Sequence, residues 1–333
     1  MRIAVLIREH DGLSLVRYRE SVMRELQSLG VTLLLFSENE PILPECDVVW
    51  DPGMGRNRLP LPGFRNLERP VVVTLHGSAT FTMKWHEVYS GLFEAMRDKW
   101  ANVAAMREWV WFRNKVTAVV AVSRYGAREA SLVYNISPDL ITPIYHGVDH
   151  TVFFPKKNLS DQTEPYFLHV SAYQPLKNVG RLLDAYEQLP VATRPKLTVV
   201  SPGLKKKLQV TGLSVIDRSL TSLELAKLYN NAHGFIFPSL RESFGLPIVE
   251  AMACGCPVIT SFDTACAEVA GDAALLVNPR STGDIAQAMS RLINEPDLRI
   301  QLSQKGLARA SQFTWAETAR LHMEVFRSVL NEC

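Results

Sequence analysis

Cysteines are few in this sequence, and their spacing does not suggest a metal or redox motif. None of the five forms a Cys-x-x-Cys pair (Cys46, Cys254, Cys256, Cys266 and Cys333). An odd number without paired spacing argues against a disulfide framework. We interpret Cys254 and Cys256 as small buried residues at a helix end. A reducing compartment is therefore expected, and the cytoplasm is the predicted location.

Long apolar runs, an excess of charge and a nucleotide-binding glycine motif are also missing. No run reaches the roughly 18 apolar residues that cross a bilayer, and the start of the sequence does not resemble a secretory signal. The 36 basic and 34 acidic residues leave a net charge of +2, so no nucleic-acid partner is expected. The absence of Gly-x-Gly-x-x-Gly after the first strand disfavours a dinucleotide oxidoreductase, and Gly53 and Gly55 are interpreted as part of a plain loop.

Short β-branched runs alternate with amphipathic stretches along the whole sequence. The first strand is predicted at Arg2–Ile7, and the helix after it is assigned Ser14 as N-cap and Gly30 as C-terminal stop. The same alternation resumes at Pro165 and continues to a last helix capped by Thr314. This pattern predicts two parallel, doubly wound α/β domains. Such domains bind ligands beyond the carboxyl ends of their strands.

The most informative stretch is FPSLRESFGLPIVEAMACGCPVITS, residues 237–261. Gly245 permits a turn close to a ligand, and Pro247 suits the first position of a helix. A helix that begins near Leu246 would point free N–H groups and the positive end of its dipole at an anion. Glu242 before the turn and Glu250 one turn into the helix would then accept hydrogen bonds from hydroxyls on either side.

The same residues have other interpretations. A glutamate early in a helix and a Gly-Leu-Pro start are ordinary structural features of helices. A pair of carboxylates is also what glycoside hydrolysis requires, provided that the two face each other across a bond. Sequence spacing leaves these alternatives open.

This segment resembles the E-x7-E signature of the retaining glycosyltransferases of family 4. Further blocks follow in the order of that family: VVVTLHG, AVVAVSRYGAREA, PIYHGVDHTVFFP, YFLHVSAYQPLKNVGRLLDAY and FTWAETARLHMEVF. The resemblance covers nearly the whole chain and implies the GT-B fold, an α/β architecture of two Rossmann-like domains that face each other across a cleft. The implied limits are 1–155 for an acceptor domain, 156–312 for a nucleotide-sugar domain, and 313–333 for a helix that returns to the first domain.

The resemblance also implies an activity. It is the retaining, metal-independent transfer of a hexose-type sugar from a UDP- or GDP-linked donor to a glycan, lipid-linked or small-molecule acceptor, without a cofactor. In this analogy Glu250 binds the ribose, Glu242 binds the donor sugar, and Lys177 neutralises the diphosphate. The other implied residues are His76 beside the sugar hydroxyls, Gly12 near the phosphates, and the backbone of Ser243, Phe244, Gly245 and Leu246.

One departure from the family pattern bears on this activity. The family usually has an arginine shortly before the lysine, but Ser171, Ala172 and Leu176 occupy those places, and Arg181 comes one turn after Lys177. A non-catalytic nucleotide-sugar-binding protein and a GT-B nucleotide-sugar epimerase therefore stay as alternatives. The absence of an Asp-x-Asp pair agrees with a metal-independent reaction.

The stretch MRDKWANVAAMREWVWFRNK, residues 96–115, mixes tryptophans with basic residues. Such a mixture is typical of a helix that lies on a membrane surface. It is equally compatible with tryptophans that pack in a core while the charges remain in water. Peripheral contact with the inner face of a membrane is therefore one of two predictions for this segment.

Overall fold

The protein is described from a computed structural model that covers residues 1–9, 11–39, 45–55, 58–77, 83–89, 91–156, 164–204 and 209–331, without the side chains of Trp85 and His86. The chain divides into two compact units. The first comprises Met1–Trp85, Gly91–Gly147 and Thr314–Cys333, and the second comprises His86–Ser90 and Val148–Phe313. The domain limits named above stay predictions, and seven residues of the predicted linker (157–163) lie outside the described residues.

The described residues form strands and helices in regular alternation. The strands are β1 Arg2–Ile7, β2 Thr32–Ser37, β3 Val48–Met54, β4 Val71–Leu75, β5 Ala118–Ala121, β6 Ile141–Pro143, β7 Tyr166–Val170, β8 Lys196–Val200, β9 Leu213–Ile216, β10 Gly234–Phe237, β11 Val258–Ser261 and β12 Ala274–Val277. The helices are α1 Leu13–Ser28, α2 Trp85–Val88, α3 Leu92–Phe112, α4 Arg124–Tyr134, α5 Val179–Glu187, α6 Ser222–Asn231, α7 Leu246–Ala253, α8 Ala265–Ala270, α9 Thr282–Asn294, α10 Pro296–Ala310 and α11 Trp315–Asn331.

Each unit contains one parallel six-stranded sheet. The strand order is β2-β1-β3-β4-β5-β6 in the first unit and β12-β11-β10-β7-β8-β9 in the second. All paired strands run parallel. In the first sheet, successive strands are added on one side of β1 and then on the other, so the strand order reverses between β1 and β3. In the second sheet the strand order reverses in the same way between β7 and β10. The doubly wound α/β class predicted from the sequence is confirmed.

Capping residues delimit several helices, including Gly30 at the predicted end of α1. The hydroxyl of Ser123 accepts from the N–H of Gly126 at the start of α4, and Thr221 and Glu224 form a capping box on α6. Gly30 has a φ of 81° just after α1, so it ends that helix in the left-handed conformation that suits glycine.

The predicted N-cap Ser14 is wrong. Helix α1 begins at Leu13, and its N-cap is Gly12. The carbonyl of Gly12 accepts the N–H groups of Leu15 and Val16, so Ser14 already lies within the first turn. Serine is a common N-cap, but the local pattern did not distinguish a cap from a residue two positions further on.

Both faces of the first sheet are covered by helices. One face packs against α3 and α4 through large side chains such as Trp109, Phe112 and Tyr134. The other packs against α1 and α11, where Tyr18 and Phe326 are buried. The C-terminal helix therefore belongs to the core of the first unit, as the family resemblance implied.

The second sheet is covered in the same way. Helices α5 and α9 bury apolar side chains such as Leu182, Tyr186 and Leu292 against one face. Helices α7 and α10 pack closely at Gly306 of α10, where a Cβ would lie only 3.3 Å from Met252 Cγ of α7. Among the described residues, no helix has the length and apolar character needed to cross a membrane.

Candidate functional site

The candidate site begins where the strand order of the second sheet reverses. β7 and β10 are neighbours in this sheet, although two further strands, β8 and β9, lie between them in sequence. Lys177 lies in a 3₁₀ turn after β7, and Glu242 lies in the loop after β10. The carboxyl ends of parallel strands at a reversal point form a crevice in which ligands bind. The fold therefore brings these two predicted residues to the expected place.

Lys177 and Glu242 form an ion pair at this point. The Nζ atom lies 2.5 Å from Glu242 Oε1, and the two side chains are 20% and 11% exposed. Ser239 Oγ lies 2.9 Å from the same carboxylate oxygen, and the ring of Phe237 lies under the ammonium at 5.6 Å. The pair is largely shielded from bulk water, and both side chains keep a small exposed surface.

Asn178 holds the lysine turn against the neighbouring loops. It adopts the left-handed conformation with a φ of 61°, and its side-chain amide donates to Pro238 O at 2.9 Å and to Pro279 O at 2.6 Å. The N–H of Leu240 donates to Leu176 O at 2.8 Å. The position of the ammonium therefore depends on loops that follow other strands of the sheet.

Helix α7 begins as the sequence predicted. Its N-cap is Gly245, whose φ of 94° suits glycine, and Pro247 lies in its first turn. Within the described residues, no side chain caps this helix start. The positive end of the dipole of α7 therefore lies at the helix start, next to the loop that carries Glu242. Such an uncapped helix start suits a negatively charged ligand.

Glu250 is buried inside α7, and its partner lies on another helix. Its carboxylate accepts a hydrogen bond of 3.2 Å from the hydroxyl of Tyr229, which lies on α6. Burial first, and then the charge of Glu250, raises the pKa of Tyr229 far above its usual value. The phenol therefore stays protonated and donates a hydrogen bond to the carboxylate. Tyr229 was not identified from the sequence, because a tyrosine in an amphipathic helix is usually a core residue.

Arg181 is hydrogen-bonded to the turn that carries Lys177. Its Nη1 donates to Asn178 Oδ1 at 2.9 Å, so it supports the turn that carries Lys177. The sequence places Arg181 one helical turn after Lys177, and that spacing alone did not determine the direction of the Arg181 side chain.

His76 lies at the corresponding edge of the first sheet, just after β4. Its Nε2 lies 2.9 Å from Pro52 O, and a carbonyl oxygen only accepts, so Nε2 carries the proton. Burial lowers the pKa of His76 to about 4. The imidazole is therefore neutral at pH 7, and its Nδ1 presents a lone pair that can accept a hydrogen bond from a hydroxyl.

Gly12 precedes α1 at the same edge of the sheet. A Cβ at this position would meet no atom within 4 Å, and its φ of −66° is open to other residues. The protein itself does not require a glycine there. Its predicted role, to let phosphates approach the loop, stays a prediction.

A group of ion pairs that the sequence did not reveal surrounds this edge. Arg8 and the fully buried Asp51 form a bidentate pair with both contacts at 2.8 Å. Asp11 binds Arg58 at 2.5 Å and also pairs with Arg19. The only local signal was the presence of opposite charges directly after the first strand.

Gly53 and Gly55 have structural roles that exceed those of a plain loop. A Cβ on Gly53 would lie 3.0 Å from Arg58 Nη1 and 2.9 Å from Leu15 Cδ2. Gly55 has a φ of 123°, and a Cβ on it would lie 2.7 Å from Gly77 O. Gly53 is part of β3, so the prediction of a plain loop is wrong for this residue. Both glycines allow the end of β3 and the residue after it to approach their neighbours closely.

Cys254 and Cys256 agree with the structural interpretation predicted for them. Cys254 and Cys256 are buried free thiols, and burial raises the pKa of Cys254 to about 12. In the part of the chain that the structure describes, no group of three or more His, Cys, Asp or Glu side chains is placed to hold a metal ion.

Two protein-family profiles match the chain. One, described as Glycosyl transferases group 1, matches residues 152–309. The other, described as Glycosyltransferase Family 4, matches residues 45–152. The two matches adjoin at residue 152 and together extend over most of the chain.

The curated relatives include several mannosyltransferases. The O-antigen chain mannosyltransferase B of Escherichia coli is 33% identical over 161 residues, which is 45% of this chain and 42% of that protein. The MMP alpha-(1->4)-mannosyltransferase of Mycolicibacterium hassiacum is 28% identical over 308 residues, or 86% of this chain and 71% of that protein. The match to the serotype-specific mannosyltransferase WbdA of E. coli covers only 29% of that protein. This chain therefore matches less than half the length of each of these two Escherichia coli relatives.

Solved structures share the fold along the whole chain. Sucrose-phosphate synthase from Thermosynechococcus elongatus has a TM-score of 0.76 and 18% identity, and the match covers 100% of both chains. Anabaena HepE, solved with UDP-glucose, has a TM-score of 0.74 and 17% identity over 98% of this chain and 100% of that one. The likeness at such identities concerns the fold. The sequence blocks, the two family matches and the paired parallel sheets agree, and the chain belongs to glycosyltransferase family 4 with the GT-B fold.

Proposed function

We propose that this protein is a retaining glycosyltransferase that moves a hexose-type sugar from a UDP- or GDP-linked donor to a glycan acceptor. The observation that carries the proposal is the Lys177–Glu242 pair at the reversal point of the second sheet. Of this pair, Glu242 lies in the loop that leads into the uncapped start of α7. An ammonium, a carboxylate and a helix N-terminus in one place suit a ligand that has both a sugar and a diphosphate.

The roles follow from the charge that the reaction creates. When the bond between the sugar C1 and the phosphate oxygen breaks, negative charge develops on the departing diphosphate. The ammonium of Lys177 and the backbone from Ser243 to Leu246 stabilise that charge without reorganising. Glu242 accepts from hydroxyls of the sugar and Glu250 from those of the ribose. His76 accepts from a sugar hydroxyl through Nδ1.

Retention is proposed to follow from attack on the face that the diphosphate leaves. The acceptor oxygen forms the new bond to C1, and its proton passes to the departing phosphate oxygen. No protein nucleophile is required in this scheme, and the diphosphate takes the part of the base. The reaction is proposed to need no metal ion, because the lysine and the helix dipole supply the positive charge.

The names of related proteins support the donor and acceptor classes. Two relatives are O-antigen chain mannosyltransferases, which supports a hexose donor and a glycan acceptor. The HepE structure holds UDP-glucose, which supports a nucleotide-sugar donor. Membrane contact at the inner face and a cytoplasmic location stay predictions.

The test is an assay of the purified protein with UDP- and GDP-linked hexoses, each with and without oligosaccharide acceptors, in buffer with EDTA. We expect release of nucleoside diphosphate that depends on the acceptor and persists in EDTA. The anomeric configuration of the product, read from NMR coupling constants, should match that of the donor.

The other outcomes separate the alternatives. Donor binding without turnover for the whole panel would favour a non-catalytic binding protein. Conversion of the donor to its epimer without an acceptor would favour an epimerase. An inverted product would contradict the retaining mechanism while leaving transfer intact.

A further inference from the structure

We propose that the outer face of α3 binds the surface of an anionic lipid bilayer. This inference concerns a surface of the first unit, and it does not depend on the transfer reaction. The face is called the apolar stripe below, and its residues are Leu92, Phe93, Met96, Trp100, Val103 and Val110.

The apolar stripe is exposed to an unusual degree. Phe93 is 83% exposed, Trp100 is 75% exposed, and the other four side chains are between 42% and 61% exposed. Isolated exposed apolar residues are common on proteins, but a contiguous exposed patch usually marks an interaction site. Six such residues on one helix therefore require a partner that covers them.

Helix geometry places the stripe on one side. The six residues recur in steps that keep them within an arc of roughly 100° around the helix axis. A separate face of the same helix is buried in the first unit by Ala95, Ala105, Trp109 and Phe112. Helix α3 thus has one apolar face that packs in the core of the first unit and a second apolar face that is exposed and takes no part in that core.

The charges around the stripe have one sign. On the same helical projection, Arg107 falls inside the arc, and Lys99 and Arg97 lie at its two borders. All three side chains are exposed. Glu94 and Asp98 project to the other side, and Glu108 lies about 20° beyond Arg97, where it pairs with Arg65. A basic border around exposed aromatic and aliphatic side chains is the composition of a helix that lies in the interface of an anionic membrane.

The charge also argues against a second copy of this chain as the occupant. In a symmetric dimer the same patch meets itself, so Arg107 and Lys99 of one subunit would face those of the other. Like charges brought together in this way repel. An anionic lipid surface satisfies both the apolar residues and the basic residues at once.

The test is flotation of the chain of residues 1–333 with vesicles of phosphatidylcholine alone or of equal parts phosphatidylcholine and phosphatidylglycerol. We expect binding to the anionic vesicles only, weakened by high salt. Replacing Phe93→Ser together with Trp100→Ser should weaken binding at least about tenfold. Replacing Lys99→Gln together with Arg107→Gln should weaken it roughly twentyfold.

Matched controls keep the test specific. Leu132 on α4 and Ile300 on α10 are 84% and 57% exposed but lie outside the stripe, so Leu132→Ser with Ile300→Ser should bind like the wild type. Circular dichroism and melting should be unchanged in all variants, since every substituted side chain is exposed. The emission of Trp100 should also move to shorter wavelength on vesicles.

Three results would overturn the proposal. They are absence of binding to anionic vesicles, equal binding by wild type and both stripe variants, and concentration-dependent self-association that the stripe variants abolish. The last result would assign the stripe to contact between copies of the chain.

Discussion

Lys177 and Glu242 show how single side chains acquire a role through their neighbours. Each is an ordinary surface residue type, but the fold places the two atoms 2.5 Å apart and largely out of water. At such a place an ammonium interacts more strongly with a diphosphate than an exposed lysine does, because solvent screens it less. The proposed chemistry depends on that shielding.

The first prediction concerns the loss of these groups. We expect Lys177→Ala and Glu250→Ala each to lower turnover at least about tenfold, or about 1.4 kcal/mol of barrier. Acceptor-dependent nucleotide release is the measurement. The control is Lys196→Ala, because Lys196 forms an ion pair with Glu164 in which both side chains are mostly exposed, and such pairs contribute little. Unchanged turnover in both site variants would end the assignment of these residues.

A second prediction separates positioning from general stability at Tyr229. Tyr229→Phe removes the hydrogen bond to Glu250, and we expect the donor KM to rise about two- to tenfold with little change in kcat. The effect should disappear with a donor whose ribose lacks the hydroxyl that Glu250 binds. Tyr166→Phe is the matched control, since its hydroxyl donates to Leu228 O rather than to Glu250. An equal loss with the deoxy donor would mean that Tyr229 acts only on folding.

At the scale of elements, helix starts and close approaches decide where the site residues lie. α7 starts where it does because Gly245 accepts a positive φ and Pro247 fits the first turn. In the first unit, α11 reaches the chain at Gly147, and a Cβ on Gly147 would overlap the backbone of Trp315. The absence of one side chain thus determines how closely this terminal helix can approach.

The prediction at this scale is that Gly147→Ala destabilises the protein by about 1–3 kcal/mol, because backbone atoms of α11 would have to move. Urea unfolding is the measurement. Gly63→Ala serves as the control, since a Cβ there would meet no atom within 4 Å. Equal stability of the two variants would show that α11 is not held as closely as described.

At the scale of the whole molecule, buried histidines link stability to pH. Burial lowers the pKa of His76, His169 and His322 to about 4, and it lowers that of His146 as well. Unfolded histidines titrate near 6.5. Between about pH 4 and about pH 6.5 these histidines bind protons in the unfolded chain but stay neutral in the folded chain. The free energy of unfolding therefore has its full value above about pH 6.5 and decreases as the pH falls toward 4.

The corresponding prediction is a loss of about 1.4 kcal/mol per pH unit for each such histidine inside that window. Urea unfolding at pH 7.5 and at pH 5 measures it. His322→Gln should make the dependence on pH shallower, because one proton-binding group is removed from the unfolded chain. A stability that stays constant between these two pH values would contradict the buried, neutral state of the histidines.

The sequence by itself determined those structural features that depend only on residues close together along the chain. Strand periodicity, the start of α7 at Gly245 and Leu246, and the capping residues are local, because each rests on backbone preferences and hydrogen bonds within a few positions. The order of the family blocks was likewise readable along the chain. Even here Ser14 was misplaced, since a cap and a first-turn residue differ by only two positions.

Only the tertiary structure decided which distant residues meet. The pairing of Lys177 with Glu242, of Tyr229 with Glu250, and of Asp11 with Arg58 depends on strand order and on the packing of helices. No local pattern encodes strand order, because a parallel sheet joins strands that are far apart in sequence. For the same reason the packing of α3 decided that Trp109 is buried while Trp100 faces water.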